Sequence, residues 1–222
     1  MAEIEKFEGF SKEAQDFLWG IKLNNDRGWF LAHKDEYTQY VLKPMQALTR
    51  EVWSMMERRF SMKTEPHCSR IYRDARRLHG KGPYKESMWF SLRRHTPDWT
   101  ETPVFYFEIR PERVEYGMGC YRMNPKSLEE FRRRADARPD ELVALIERFN
   151  AQSIFKLGGD EYKRKKGERG PLIDPWYNKK GLNFYRTLDW GREVYSKNLP
   201  QKLVKHFELL VPVYEYLISI TL

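Results

Sequence analysis

Six cations, one carboxylate and one phenol fall within sixteen residues of this chain: Arg70, Arg73, Asp74, Arg76, Arg77, Lys81, Tyr84 and Lys85. Guanidinium groups are planar forks that match the oxygens of a phosphate or carboxylate, and lysines add mobile point charges. The chemistry that suits this set is binding of a small anion, with Arg70, Arg73, Arg76, Lys81 and Lys85 as ligand-binding residues. Asp74 can hold one arginine in place or act as a base. Tyr84 can donate a hydrogen bond or stack on a flat ligand. These two are the candidate catalytic residues. Lys81 sits in a Gly80-Lys81-Gly82-Pro83 turn, where glycine lets a backbone approach a ligand closely. A later basic stretch adds Lys163 and Lys179 as candidate ligand-binding residues, although Lys163, Arg164, Lys165 and Lys166 also read as a solvated loop.

The charge balance points the same way. The chain has 222 residues, a formal net charge of +8 and a pI near 9.3. Residues 61–100 carry nine Lys+Arg against four Asp+Glu, and residues 151–186 the same, while the rest of the chain is close to balanced. A uniform excess would speak to solubility, whereas a focused one steers an anionic partner.

The elements that must position these residues show in the hydrophobic periodicity. Residues 11–23 predict a helix, with Ser11 as N-cap and Ala14, Phe17, Leu18 and Ile21 on one face. A second helical stretch from about Trp29 to Met55 contains Pro44, so it kinks or divides into abutting helices. Residues 68–73, 88–93, 103–109 and 114–121 are short and rich in aromatic and β-prone residues, and 182–188 adds one more such run. Pro111-Glu112 reads as a hairpin turn. Asn124-Pro125 and Pro139 each open a helix. Residues 156–181 read as irregular, and the last helix carries Leu203, Phe207, Leu210, Val211, Tyr214, Leu217 and Ile218. The expectation is a single α+β domain over residues 1–222: an antiparallel sheet of about four to five strands flanked by N-terminal and C-terminal helices.

Within that frame, residues 68–73 are expected as a strand that runs into a loop at Asp74. Arg70, Tyr72, Asp74 and Arg76 then share one face, with Ile71 and Arg73 opposite. Asn25, Arg27 and Trp29 read as an Asn-rich turn and a buried tryptophan.

Walker A, HExxH and GxSxG patterns are absent from the sequence. Gly117-x-Gly119 reads as a strand bulge. His67-Cys68 has no partner pair at zinc spacing, so no metal site and no cofactor are expected. No run approaches the roughly 18 apolar residues that span a bilayer. The first residues lack the apolar core of a signal peptide, and two cysteines are too few for a disulfide scaffold. A cytoplasmic protein without a membrane partner is therefore expected.

The arginine run resembles the signature of DUF2461, a bacterial and fungal family of unknown function. That signature reads Arg-x-x-Arg-Asp-x-Arg-Phe, a short spacer, then Asp or Asn, Lys, two residues and Tyr. Arg70, Arg73, Asp74, Arg76, Lys81 and Tyr84 fall on it. Arg77 stands where the family usually has Phe, and Gly80 where it has Asp or Asn. Asn24-Asn25-x-Arg27-x-Trp29-Phe30 with Tyr37, Gly119-x-Tyr121 with Pro125, Leu128 and Arg132, and Tyr162-Lys163-Arg164 with Pro175-Trp176-Tyr177 and Lys179-Lys180 are similar to its other blocks. The resemblance brings no activity, and enzyme status stays open. Three readings remain: a site for a small phosphate- or carboxylate-bearing ligand, a nucleic-acid binder that stacks bases on interleaved aromatics, and an internal Arg/Asp salt-bridge network.

Overall fold

The N-terminal helices form where the apolar periodicity placed them. The computed structural model describes residues 6–74, 76, 80, 82–97, 99–120 and 122–221. In α1 (Lys12–Leu23), Ala14, Phe17, Leu18 and Ile21 are all buried on one face. The helix ends at Asn24, whose backbone N–H and side-chain amide both donate to the Gly20 carbonyl. Asp26 then opens α2 (Arg27–Ala32) by accepting from the Trp29 N–H at 2.9 Å.

From Lys34 the chain is helical without a break to Phe60, in three pieces: α3 (Lys34–Glu36), a π-helical turn (Tyr37–Leu42) and α4 (Lys43–Phe60). The abutting helices expected around Pro44 are therefore present. The Lys43 N–H reaches back five residues to the Thr38 carbonyl. This wider turn meets a proline that has no N–H and whose ring crowds the carbonyl four residues earlier. Met45, Leu48, Val52 and Met56 bury the inner face of α4.

Among the described residues, six strands form one antiparallel sheet in the order β1-β2-β3-β4-β6-β5. They are β1 (Glu65–Cys68), β2 (Met88–Arg93), β3 (Pro103–Ile109), β4 (Val114–Cys120), β5 (Lys156–Gly158) and β6 (Asn183–Leu188). The count corrects the expected four to five. The additional strand is β5, within residues 156–181 that read as irregular. It is three residues long and pairs Lys156, Leu157 and Gly158 with Tyr185, Phe184 and Asn183 of β6. A three-residue strand has too few side chains to show an alternation. Strand β1 lies earlier than expected, at Glu65–Cys68 in place of 68–73, and shares only Cys68 with the expected run. The β3–β4 turn at Pro111-Glu112 is closed by the Arg110 N–H on the Arg113 carbonyl.

Gly117 and Gly119 lie within β4. A side chain at Gly117 would strike the Phe184 carbonyl of β6, and one at Gly119 would crowd Leu182 and Asn183. They are glycines because the neighbouring backbone passes too close for anything larger.

Beyond the sheet, α5 (Pro125–Ala137) is capped by the Asn124 side chain on the Ser127 N–H, and α6 (Pro139–Asn150) follows from Pro139. After α7 (Asp174–Tyr177), the last helical stretch divides into α8 (Leu199–Phe207), a 3-10 turn (Glu208–Leu210) and α9 (Val211–Ile218), because Pro212 falls at the start of α9.

The chain divides into two compact units. The first comprises Met1–Leu92, Tyr106–Tyr116 and Thr187–Val204, with Phe10, Phe90 and Tyr116 packed around Phe107. The second comprises Arg93–Phe105, Gly117–Arg186 and Lys205–Leu222. In it, Phe105 packs on Phe207 and Tyr214, and Phe184 on Phe149 and Trp176. Each unit holds one cysteine, Cys68 and Cys120, and both are free thiols. Burial pushes Cys68 up to about 11 and Cys120 up to about 12. Among the described residues, no helix is long and apolar enough to cross a membrane.

Candidate functional site

The arginine segment begins where β1 ends. Ser69 continues the pairing with β2 through its N–H on the Trp89 carbonyl. The chain stays extended, and exposure alternates residue by residue. Arg70, Tyr72 and Asp74 face solvent, Ile71 is buried and Arg73 is half-buried. The expected alternation of exposure holds as far as Asp74, although the strand itself ends at Cys68 and only the Tyr72 bridge continues it. The returning chain pairs with it: Tyr72 and Tyr84 form an antiparallel bridge, the Arg73 N–H donates to the Pro83 carbonyl, and the Lys85 N–H to the Ile71 carbonyl. Arg77 and Lys81 of the predicted set lie outside the described residues.

Each described member of the set has a distinct setting. Arg73 points inward, donating from Nε to the Tyr84 carbonyl at 2.6 Å and from Nη2 to Glu86 Oε1 at 3.2 Å. Asp74 grips Arg76, with Nε on Oδ1 at 3.0 Å and Nη2 on Oδ2 at 2.8 Å, and Oδ1 also accepts the Arg76 N–H at 3.0 Å. This fork-to-fork pair holds a guanidinium that is otherwise exposed, and the carboxylate raises the pKa of Arg76 further. Lys85 Nζ donates to the Arg70 carbonyl at 2.7 Å. Its pKa is pushed below the ordinary lysine value, first by burial and then by the Arg70 and Arg73 charges. Arg70 itself makes no side-chain ion pair among the described residues.

Tyr84 is buried, its ring stacked on Phe30 at 4.3 Å and beside Tyr72 at 5.4 Å. Burial, more than the neighbouring charges, raises its pKa. Tyr72 packs edge-on to Phe30 yet remains 52% exposed, so a flat aromatic surface opens to solvent between Arg70 and Asp74.

Sequence reasoning missed what Asn25 does. Its Oδ1 accepts the Tyr84 N–H and its Nδ2 donates to the Tyr84 carbonyl, both at 3.0 Å. One side chain thus takes the place of a neighbouring strand. Gly82 lies against this same side chain, where a methyl group would collide with it. The signal available in the sequence was the Asn24-Asn25-x-Arg27 block, which shares the family resemblance with the arginine run. The turn reading of Asn25 was incomplete, because the residue both ends the turn and ties it to Tyr84 across 59 positions.

The second basic segment lies in the second unit. Lys179 is not open to a ligand as it stands: Nζ donates to the Gly159 carbonyl at 3.0 Å and to Glu161 Oε1 at 3.1 Å, with the side chain 12% exposed. Lys163 is exposed. Buried Asn178 pins the loop, accepting from the Lys166 N–H and donating to the Gly167 and Asp174 carbonyls. Asp136 of α5 holds Arg169 at 2.6 Å and accepts the Tyr177 hydroxyl at 3.0 Å. Arg169 foremost, with help from Tyr177, lowers the Asp136 pKa. Among the described residues, no group of three or more His, Cys, Asp and Glu side chains could hold a metal ion.

No curated protein matches the chain. A family model described as a conserved hypothetical protein, DUF2461, matches residues 13–216. The match runs from α1 into α9 and takes in both the arginine loop and the asparagine that clamps it, and the chain belongs to the DUF2461 family.

Proposed function

We propose that the exposed face of Arg70, Tyr72 and the Asp74–Arg76 pair binds a small anionic compound bearing a phosphate or carboxylate group. The observation that carries this reading is the crowding of charge at Lys85. Arg70 is exposed and makes no ion pair among the described residues, and the Lys85 ammonium beneath it rests only on the Arg70 carbonyl, its charge disfavoured first by burial and then by Arg70 and Arg73. An anion in that place offsets the charge that Arg70 and Lys85 bring together. Tyr72 supplies a flat surface for the rest of the ligand, and Arg76 a guanidinium already oriented by Asp74.

This geometry supports Asp74 as an orienting residue rather than a base, because Arg76 occupies both of its oxygens. Arg73 is read as a strut, since its donors go to the Tyr84 carbonyl and Glu86. Those same two pairs favour a second reading, in which the cluster is an internal salt-bridge network without a ligand.

Thermal unfolding separates the two. Phosphate is compared with chloride at equal ionic strength, since a ligand that binds only the folded state stabilises it by mass action. The expected result is a phosphate-specific rise in Tm that shrinks in Arg70→Ala, a substitution that leaves the Lys85–carbonyl bond intact. No phosphate-specific rise, or one wholly unchanged in Arg70→Ala, returns the cluster to the network reading.

A further inference from the structure

Three cations converge on one tyrosine ring in the second unit. Lys166 Nζ lies 4.6 Å from the centroid of the Tyr162 ring, Arg132 Cζ 5.2 Å and Lys180 Nζ 6.0 Å. All three charges therefore fall within a 6.0 Å sphere about the ring. Among the described residues, none of them forms an ion pair. The nearby Glu161 carboxylate is engaged by Lys179 instead.

The convergence is built into the backbone. Arg132 is half-buried and anchored by Nε on the Tyr177 carbonyl and Nη2 on the Lys179 carbonyl. The Lys166 N–H is fixed on buried Asn178, the Tyr162 N–H donates to the Asn178 carbonyl, and the Lys180 N–H donates to the Asp160 carbonyl at 2.7 Å. Neutral acceptors thus hold the residues in place without cancelling their charge. The ring attracts each cation through its quadrupole but does not cancel its charge.

We propose that this cluster is a second anion site, distinct from the Arg70–Lys85 face and made only of second-unit residues. Arg132, Lys166 and Lys180 supply the charge, and the ligand class is a phosphate dianion or diphosphate group. With Nε and Nη2 of Arg132 on the two backbone carbonyls, Nη1 is left to donate, and the two ammonium groups are free to turn toward the remaining oxygens. Lys163 and Lys179, the candidates from sequence, are not its core: Lys179 is committed to Gly159 and Glu161.

The test is a calorimetric titration of the full chain with inorganic pyrophosphate at constant ionic strength. The cluster predicts a site that survives Arg70→Ala and loses at least about tenfold in affinity in the Lys166→Ala/Lys180→Ala double variant. Both lysines are exposed, so the fold should be retained, and circular dichroism checks it. Lys163→Ala/Arg164→Ala removes the same charge from neighbouring positions and is expected to change affinity by no more than about twofold. Equal losses in the two double variants would overturn the proposal in favour of bulk charge. So would a single site abolished by Arg70→Ala, a result that leaves the first-unit reading standing. A site lost only with Lys166 and Lys180 supports the cluster even if Arg70→Ala has no effect.

Discussion

Gly82 is glycine because Asn25 fills the space a side chain would need. Gly82→Ala must displace the amide that satisfies both the N–H and the carbonyl of Tyr84. The expected cost is about 2–3 kcal/mol, read from urea unfolding, with a similar loss for Asn25→Ala. Because the two substitutions break the same contact, the double variant should cost clearly less than the sum. Full additivity would show that the contact contributes nothing. The surroundings of this contact were partly legible beforehand. The alternation of Arg70, Ile71, Tyr72, Arg73 and Asp74 could be read from residue types, because period-two patterning is local. The Asn25–Tyr84 clamp could not, since nothing in either segment names a partner 59 residues away. Nor could the division of labour among the arginines. Arg73 and Arg76 look alike in sequence, and only the position of Glu86 and Asp74 makes one a strut and the other an exposed fork.

At the scale of elements, segments that carry their own periodicity or a proline were legible, and a strand of three residues was not. α1, β2 and β3 begin and end within a residue of expectation, and Pro44 announced the divided helix that the π-turn provides. β5 was missed because its existence depends on β6 lying beside it, which no local pattern encodes. The same dependence governs the basic loop, which is tied to α5 through Asp136, Arg169 and Tyr177. That tie has a pH signature. The Asp136 carboxyl titrates below its ordinary value of 3.8 in the folded chain, so the folded state binds fewer protons than the unfolded one. Its stabilisation is present above that value and is lost as pH falls through the lowered one. Asp136→Asn should therefore cost stability at pH 7, below about 1 kcal/mol because the pair is two-fifths exposed. The cost should fade in acid, below the ordinary carboxylate range. Urea unfolding at the two pH values checks this, and a penalty that persists unchanged in acid would assign the effect to something other than the charge.

Over the whole molecule, a net charge of +8 invites a nucleic-acid reading, and its distribution argues against it. The excess lies in two segments separated by stretches of balanced charge, not along one continuous run. Anisotropy titration with single-stranded DNA at 0.15 M salt is expected to show nothing tighter than the nonspecific range of about 10⁻⁶ M. Tighter binding with a steep salt dependence would make nucleic acid the ligand. One further property of the molecule follows from its two sulfur atoms. Burial holds both thiols well above their ordinary range, so each is ionised at pH 8 far less than a free cysteine. Alkylation of the folded chain is correspondingly slow, and it accelerates when a unit opens and its thiol regains an ordinary acidity. Because Cys68 belongs to the first unit and Cys120 to the second, the native sequence already carries one chemical clock for each, and mass spectrometry of the two labelled peptides times their opening separately.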